Sequence, residues 1–371
     1  MARLLITGGL GAVGVNYALH AAKAGHEVIL VDNRFRGLSN SLNEQWLWKQ
    51  AGKDAKIMAI TGDVANADDI DTAMSALLSD DPEDIRVLHA AAQASVDYSI
   101  KDPGLDFAYN VIGTFNLLEA LRNRCPQAKM IHVTSNKIYD TTDWPVEIHG
   151  THYSWVGRNV GPADVLSKFI DAKEPYGASK IAGLYYSRCY AAMYNMPIVI
   201  AVPSGMYGPR QFGRSGQGWM GWFTVACALG YALQIKGDGF QVRDMVHVND
   251  VNTAMDILFA QATKTPGELF NIGGGPRNAI SLIEALTEMS KHLGKMAKLE
   301  YVDWRPQDNK VYISNIEKMI SLGWSPTISV QDGIKNMCEW VVSQKDDLES
   351  LYRVKTTYTL EDEPYWPEEA V

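Results

Sequence analysis

With 371 residues, 46% of them hydrophobic and 21% charged, the chain can bury the core of one large α/β domain and a smaller companion, in the proportions of a water-borne enzyme. A formal net charge of -9 excludes a general nucleic-acid partner and a polybasic membrane patch, so an anionic substrate would need a local cluster of arginine and lysine. The four cysteines, Cys125, Cys189, Cys227 and Cys338, show neither close pairing nor metal-ligand spacing, which points to a reducing compartment and to no metal centre.

The chain opens Met1-Ala-Arg-Leu-Leu-Ile6 and runs straight into glycines, too short an apolar run for a secretory signal. No later stretch has the length of a membrane span, so a cytoplasmic location is expected. Short apolar runs predict strands at Arg3–Thr7, Glu27–Asp32, Ile57–Thr61, Val87–Ala91, Met130–Ser135 and Ile198–Pro203. Amphipathic segments at Ala12–Ala24, Asp68–Leu78 and Leu105–Arg122 predict the helices between them. This β-α-β rhythm predicts a doubly wound parallel α/β sheet of Rossmann type, covered by helices on both faces. It breaks after residue 203. A Gly- and aromatic-rich stretch (Met206–Phe223) follows, then Gln241–Val248, a helix at Asn249–Ala262 and the run Leu269–Gly275. A helix at Ser281–Leu293 and a strand at Leu299–Asp303 come last. The expected domains are a dinucleotide-binding part at 1–203 with an insertion at 141–173, and a substrate part at 204–345 with one segment returning to the main sheet. An acidic tail at 346–371 completes the chain.

Chemistry concentrates at two places. Gly8, Gly11 and Gly14 recur at three-residue spacing after the first strand and at the start of a helix. Such a loop lets phosphates approach backbone N–H groups at the helix N-terminus. Asp32 ends the second strand, where a carboxylate accepts the adenosine ribose hydroxyls and repels a 2′-phosphate; NAD is therefore expected over NADP, although Arg34 and Arg36 lie close by. Asp63 follows the third strand, suited to an adenine amino group, and the small residues Ala90, Ala91 and Ala92 end the fourth. His89 reads as a core histidine. The second place is Tyr176-Gly-Ala-Ser-Lys180, in which a phenol and an ammonium stand one helical turn apart on one face.

With these motifs, Asn110 in Asn-Val-Ile-Gly-Thr114 and Ser135, the chain resembles the extended short-chain dehydrogenase/reductase (NAD-dependent epimerase/dehydratase) family over nearly its whole length. The resemblance implies a Rossmann domain with a small nucleotide-sugar domain and a homodimer built on the Tyr176 and Leu105–Arg122 helices, with the face Ile181, Leu184, Tyr185 and Arg188 compatible with it. It implies an NAD site drawn from Gly8, Gly11, Ala12, Val13, Gly14, Asp32, Asn33, Asp63, Val64, Ala90, Ala91, Ala92, Asn110, Thr134, Tyr176, Lys180 and Pro203. Catalysis falls to Ser135, Tyr176 and Lys180. Tyrosine titrates near pH 10, so acting as a base near neutrality takes a shift of about three units, roughly 4 kcal/mol, which Lys180 and the positive nicotinamide are expected to supply. Dehydratases of the family carry an Asp-Glu pair after the central hydroxyl; here Asn136-Lys137 stands there, which disfavours dehydration.

A narrower resemblance is to the CDP-tyvelose (CDP-paratose) 2-epimerase branch. It rests on Ser135-Asn-Lys-Ile-Tyr139, Gly208-Pro-Arg-Gln-Phe-Gly213, Gln217-Gly-Trp-Met-Gly-Trp-Phe223, Gln241-Val-Arg-Asp-Met-Val-His247 and Asp303-Trp-Arg-Pro-Gln-Asp308. It implies substrate contacts from Gln93, Asn136, Lys137, Ser204, Arg210, Gln217, Trp219, Arg243 and Asp308, with Arg243 for the diphosphate and Asp308 for the nucleotide ribose. Trp222 and Phe223 read as packing. Glu147, His149 and His152 lack a further ligand motif, so no metal is expected there. The expected activity is redox-neutral C2 epimerisation of a CDP-linked hexose or deoxyhexose. C4 epimerisation, a net oxidoreductase and an NAD-binding protein without turnover are the alternatives.

Overall fold

The structure is a computed structural model and describes residues 1–163 and 169–352; the portions of the expected insertion and tail at 164–168 and 353–371 lie outside the described residues. The chain divides into two compact units. The first takes Met1–Ile138, Asp164–Pro203 and Val251–Phe270, and the second Tyr139–Ala163, Ser204–Asp250 and Asn271–Val371.

The first unit is built on seven strands: β1 (Arg3–Thr7), β2 (Glu27–Asp32), β3 (Ile57–Thr61), β4 (Ile85–His89), β5 (Lys129–Val133), β6 (Ile198–Pro203) and β7 (Leu269–Ile272). They lie in the order β7-β6-β5-β4-β1-β2-β3, and the pairs from β6 across to β3 are parallel. Leu4, Leu5 and Ile6, like Ile198, Val199 and Ile200, are buried although alternate side chains point to opposite faces, because helices cover both sides. The covering helices include α1 (Ala12–Lys23), α2 (Leu38–Ala51), α3 (Ala67–Leu77), α4 (Gly113–Arg124), α5 (Pro175–Tyr194) and α6 (Val248–Gln261). This is the doubly wound Rossmann-type sheet expected. Its order reverses between β1 and β4, so the crevice past their carboxyl ends is where such sheets place a ligand.

Three local features depart from expectation. β4 starts and stops two residues earlier than Val87–Ala91, because register with β1 pairs Arg3 with Ile85 and Thr7 with His89. Ala90 and Ala91 are thereby released from the ladder to face the glycine loop. The expected helix Leu105–Arg122 lies within continuously helical backbone from Pro103 to Arg124, but it widens to a π-helix at Phe107–Ile112 before α4. Helix α2 was not expected, since Ser39, Asn40 and Asn43 join Leu47 as its buried residues and leave no apolar stripe to read.

In the second unit, Val242–His247 pairs antiparallel with Ala279–Ser281 and parallel with Val311–Tyr312 and Gly205–Tyr207. Leu233–Lys236 pairs with Leu299–Val302, and Val146–His149 forms a hairpin with His152–Trp155. Helix Leu282–Leu293 begins with a capping box between Ser281 and Glu284. No helix among the described residues is long and apolar enough to cross a membrane.

Candidate active site

Glycine at the end of β1 is required by contact. Gly8 has φ +65°, and a Cβ there would stand 2.8 Å from Ala91 Cα. A Cβ on Gly14 would meet Gly8 O at 2.4 Å, so α1 packs directly on the turn. Gly11 caps α1 without any side-chain hydrogen bond, leaving the first N–H groups, with Ala12 and Val13, presented as an anion site. The cradle at the sheet's switch point fits a dinucleotide pyrophosphate.

Asp32, at the end of β2, accepts from Leu10 N at 3.0 Å and from Arg34 N at 2.9 Å. Burial pushes its carboxyl above the ordinary range, against those backbone donors. Its oxygens keep lone pairs for a ribose hydroxyl. Asn33 Nδ2 donates to Asp63 Oδ2 at 3.1 Å, and Ala65 N donates to Asp63 Oδ1 at 2.8 Å. Val64 is buried, and a Cβ on Gly113 would meet its Cγ2 at 2.6 Å, which ties α4 to this corner.

The Tyr176 helix starts where Glu174 and Pro175 dictate. Glu174 caps it, accepting from Tyr176 N at 2.8 Å and Gly177 N at 2.9 Å, and proline occupies the first turn. Tyr176 and Lys180 are both buried, one turn apart. Ser135 lies just beyond β5, where its hydroxyl favours the ionised Tyr176 phenol. Lys180 Nζ donates to Val133 O at 3.2 Å, and Thr134 Oγ1 donates to Ala201 O at 2.9 Å in the stretch before Ser135. Pro203 ends β6.

Here the electrostatics differ from expectation. Burial drives the Tyr176 phenol upward; Ser135 opposes it, while Glu174 and Asp106 add to the rise. Lys180 is pushed down to about 8 by burial, with Asp106 countering. Burial outweighs what favours the phenolate, so the protein without its dinucleotide holds Tyr176 protonated.

Asn110 sits in the π-helix. Its Nδ2 donates to Gln93 O at 3.0 Å and Ser179 Oγ at 2.9 Å, and Thr114 Oγ1 donates to its carbonyl at 2.8 Å. The Gln93 amide gives hydrogens to Asp106 Oδ1 at 2.7 Å and Ser95 O at 2.8 Å. Asp106, pushed up to about 7 by burial, and Glu174 are site residues the sequence reading missed. The Glu-Pro start before Tyr176 was the available signal for Glu174; Asp106 had none. His89 is a core histidine bonded to Thr7 and Thr114, and burial pushes it down to about 3. Asn136 and Lys137 flank Ser135: its hydroxyl lies 3.4 Å from Asn136 Oδ1 and accepts from Lys137 N at 3.2 Å. The Asn136 amide and the Lys137 backbone N–H thus adjoin the central hydroxyl, and neither following residue is a carboxylic acid.

In the second unit Arg243 and Asp308 form a largely buried ion pair at 2.9 Å. Ser204 Oγ donates to Asp244 O at 3.1 Å. Arg210 is buried over Phe212 and Trp340, 4.9 and 5.8 Å from their ring centroids, and reaches Gln344 Oε1 at 3.3 Å. Gln217 bridges Arg214, Trp219 packs edge-on against Phe223, and Trp222 and Phe223 are buried. Among the described residues no group of three His, Cys, Asp or Glu could hold a metal. On α5, Leu184 belongs to the core rather than to an outer face, whereas Tyr185 and Tyr186 are exposed along with Phe107 and Phe115.

Residues 5–337 match the family model described as GDP-mannose 4,6 dehydratase. The CDP-paratose 2-epimerase of Salmonella typhi is 32% identical over 349 residues, which cover 92% of this chain and 99% of that relative. A UDP-glucose 4-epimerase of Mycolicibacterium smegmatis is 28% identical, over 91% of this chain and 98% of its own. Among solved structures, the UDP-glucuronic acid 4-epimerase of Bacillus cereus, in complex with UDP-glucuronic acid and NAD, superposes with a TM-score of 0.74 at 26% identity, covering 92% of this chain and 99% of that one.

Proposed function

Because the chain belongs to the GDP-mannose 4,6-dehydratase family of extended short-chain dehydrogenase/reductases, we propose that it is an NAD-dependent nucleotide-sugar epimerase that inverts C2 of a CDP-linked hexose or deoxyhexose. The observation that carries the reading is a half-buried Ser135 with the buried Tyr176 and Lys180 and a glycine cradle, in a chain 32% identical to a CDP-paratose 2-epimerase along nearly all of both. Bound NAD supplies the hydride acceptor and, once reduced, the donor. The chain's part is to move the proton. Tyr176 takes it from the sugar hydroxyl as the C–H hydride leaves, Ser135 donates to the oxygen that becomes a carbonyl, and Tyr176 returns the proton when hydride re-enters on the opposite face. The free protein holds the phenol protonated; a bound nicotinamide would supply positive charge favouring the ionised form, and Lys180 would hold its ribose.

The cofactor part is assigned to 1–203 and the nucleotide sugar to 204–345, where Arg243 would turn from Asp308 to the diphosphate and Asp308 to the ribose. Asn136 and Lys137, in place of an Asp-Glu pair, support epimerisation over dehydration. A homodimer is assigned to the exposed aromatic face of Phe107, Phe115, Tyr185 and Tyr186. A cytoplasmic location is supported by the four unpaired cysteines. The test is NMR of the purified protein with CDP- and UDP-hexoses in D2O, without added coenzyme. C2 inversion with no deuterium in the product is the expected result; C4 inversion, or deuterium beside a transient ketone, would refute the assignment.

A further inference from the structure

The turn after β2 carries a cation where the adenosine end of a dinucleotide would be read. Arg34 has φ 57°, in the left-handed region uncommon for its residue type. Asp32 fixes the turn by accepting Arg34 N, and the guanidinium engages a partner through each of its three nitrogens. Its two terminal nitrogens donate to the Glu44 oxygens at 2.7 and 2.9 Å, and its Nε donates to Thr61 Oγ1 at 2.9 Å. Glu44, on α2, is itself held by Trp48 one turn further on. An arginine beside this strand end is the natural receiver of a 2′-phosphate, because its planar fork matches phosphate oxygens. Here the fork is closed on a carboxylate, and Asp32 and Glu44 together present negative charge to any such phosphate.

We propose that Glu44 is a specificity-determining residue for the dinucleotide: by occupying both arms of Arg34 it withholds the arginine from a 2′-phosphate and leaves Asp32 to bond a free ribose hydroxyl. This rests on the reading that Asp32 faces the adenosine ribose. The experiment strips the full-length protein of cofactor and titrates NAD and NADP by calorimetry. In Glu44→Ala, NADP affinity relative to NAD should rise at least tenfold, and in Glu44→Gln, which keeps the shape and loses the charge, by a smaller factor. The gain should vanish in Arg34→Ala/Glu44→Ala. Arg34→Ala alone should leave the ratio within threefold of the parent, because the arginine is already withheld.

A ratio within twofold of the parent in both Glu44 variants overturns the proposal. So does a gain that survives in the double variant, or a tenfold fall in NADP affinity relative to NAD in Arg34→Ala. Asp32→Ala separates the premise from the inference. If it leaves NAD affinity unchanged, the ribose reading and the proposal fall together; if it costs tenfold while the Glu44 variants do nothing, only the proposal falls.

Discussion

Replacing Lys180 by methionine should change how stability depends on pH, and the structure gives the size. The side chain is fully enclosed and its ammonium is pushed from 10.5 down to about 8, chiefly by burial. Below pH 8 the folded and unfolded chains both carry the proton, and the folded chain bears the whole cost of a buried charge. Between about 8 and 10.5 the unfolded chain holds a proton that the folded chain has lost, so stability rises with pH across that window. A shift of about 2.5 units corresponds to roughly 3 kcal/mol. The cofactor-free Lys180→Met protein keeps the volume and lacks the titration. The difference in unfolding free energy between parent and variant should therefore move by about 3 kcal/mol in the parent's favour from pH 7.5 to 10.5. Urea denaturation of both cofactor-free proteins at half-unit steps measures it. The phenols titrate in both and cancel, and the carboxyl of Asp106, pushed up to about 7, changes charge mostly below the window. Parallel stability curves would refute the argument that Lys180 is held in a low-dielectric site.

Other outcomes are expected. Tyr176→Phe should lower turnover by roughly 10²–10⁴-fold while the purified protein still carries its dinucleotide, read from absorbance and product formation; a rate near the parent's would remove the phenol from the mechanism. Gly14→Ala, whose Cβ would lie 2.4 Å from Gly8 O, should displace the loop and empty the protein of NAD, seen by chromatography of the released nucleotide. Phe115→Asp, on the exposed face where Phe115 packs edge-on against Tyr186 at 6.0 Å, should shift the sedimentation coefficient from dimer to monomer. A parent that already sediments as a monomer, or an unchanged value, would refute the proposed dimer face.

The sheet was legible because its strands carry their signal within themselves. Arg3–Thr7, Glu27–Asp32, Ile57–Thr61 and Ile198–Pro203 have the observed bounds, each an apolar run ended by a turn or polar residue. β4 was placed two residues late because its bounds come from register with β1, a partner distant in sequence. The π-helix at Phe107–Ile112 escaped because its wider turn lies inside a stretch that reads as one continuous helix. Of the candidate site, Ser135, Tyr176 and Lys180 were legible from motif and spacing, and the structure brings them together. The direction in which the phenol moves was not, since it depends on enclosure and on Asp106 and Glu174, whose proximity no spacing announces. Leu184 was grouped with Ile181, Tyr185 and Arg188 by helical spacing, but spacing does not say where a face ends, and Leu184 turns into the core while Tyr185 stays exposed.

The return of 251–270 to the first unit sets the order in which that unit can be finished as the chain is made. Until β7 emerges, β6 is an open edge, and all six of its residues are of the kind the finished protein buries. At roughly 5–20 residues per second, translation of 204–268 leaves that apolar edge unpaired for several seconds. A chain cut at the end of β6 would never close it. Such a truncated chain is therefore expected to associate edge to edge rather than fold as a free-standing dinucleotide-binding domain.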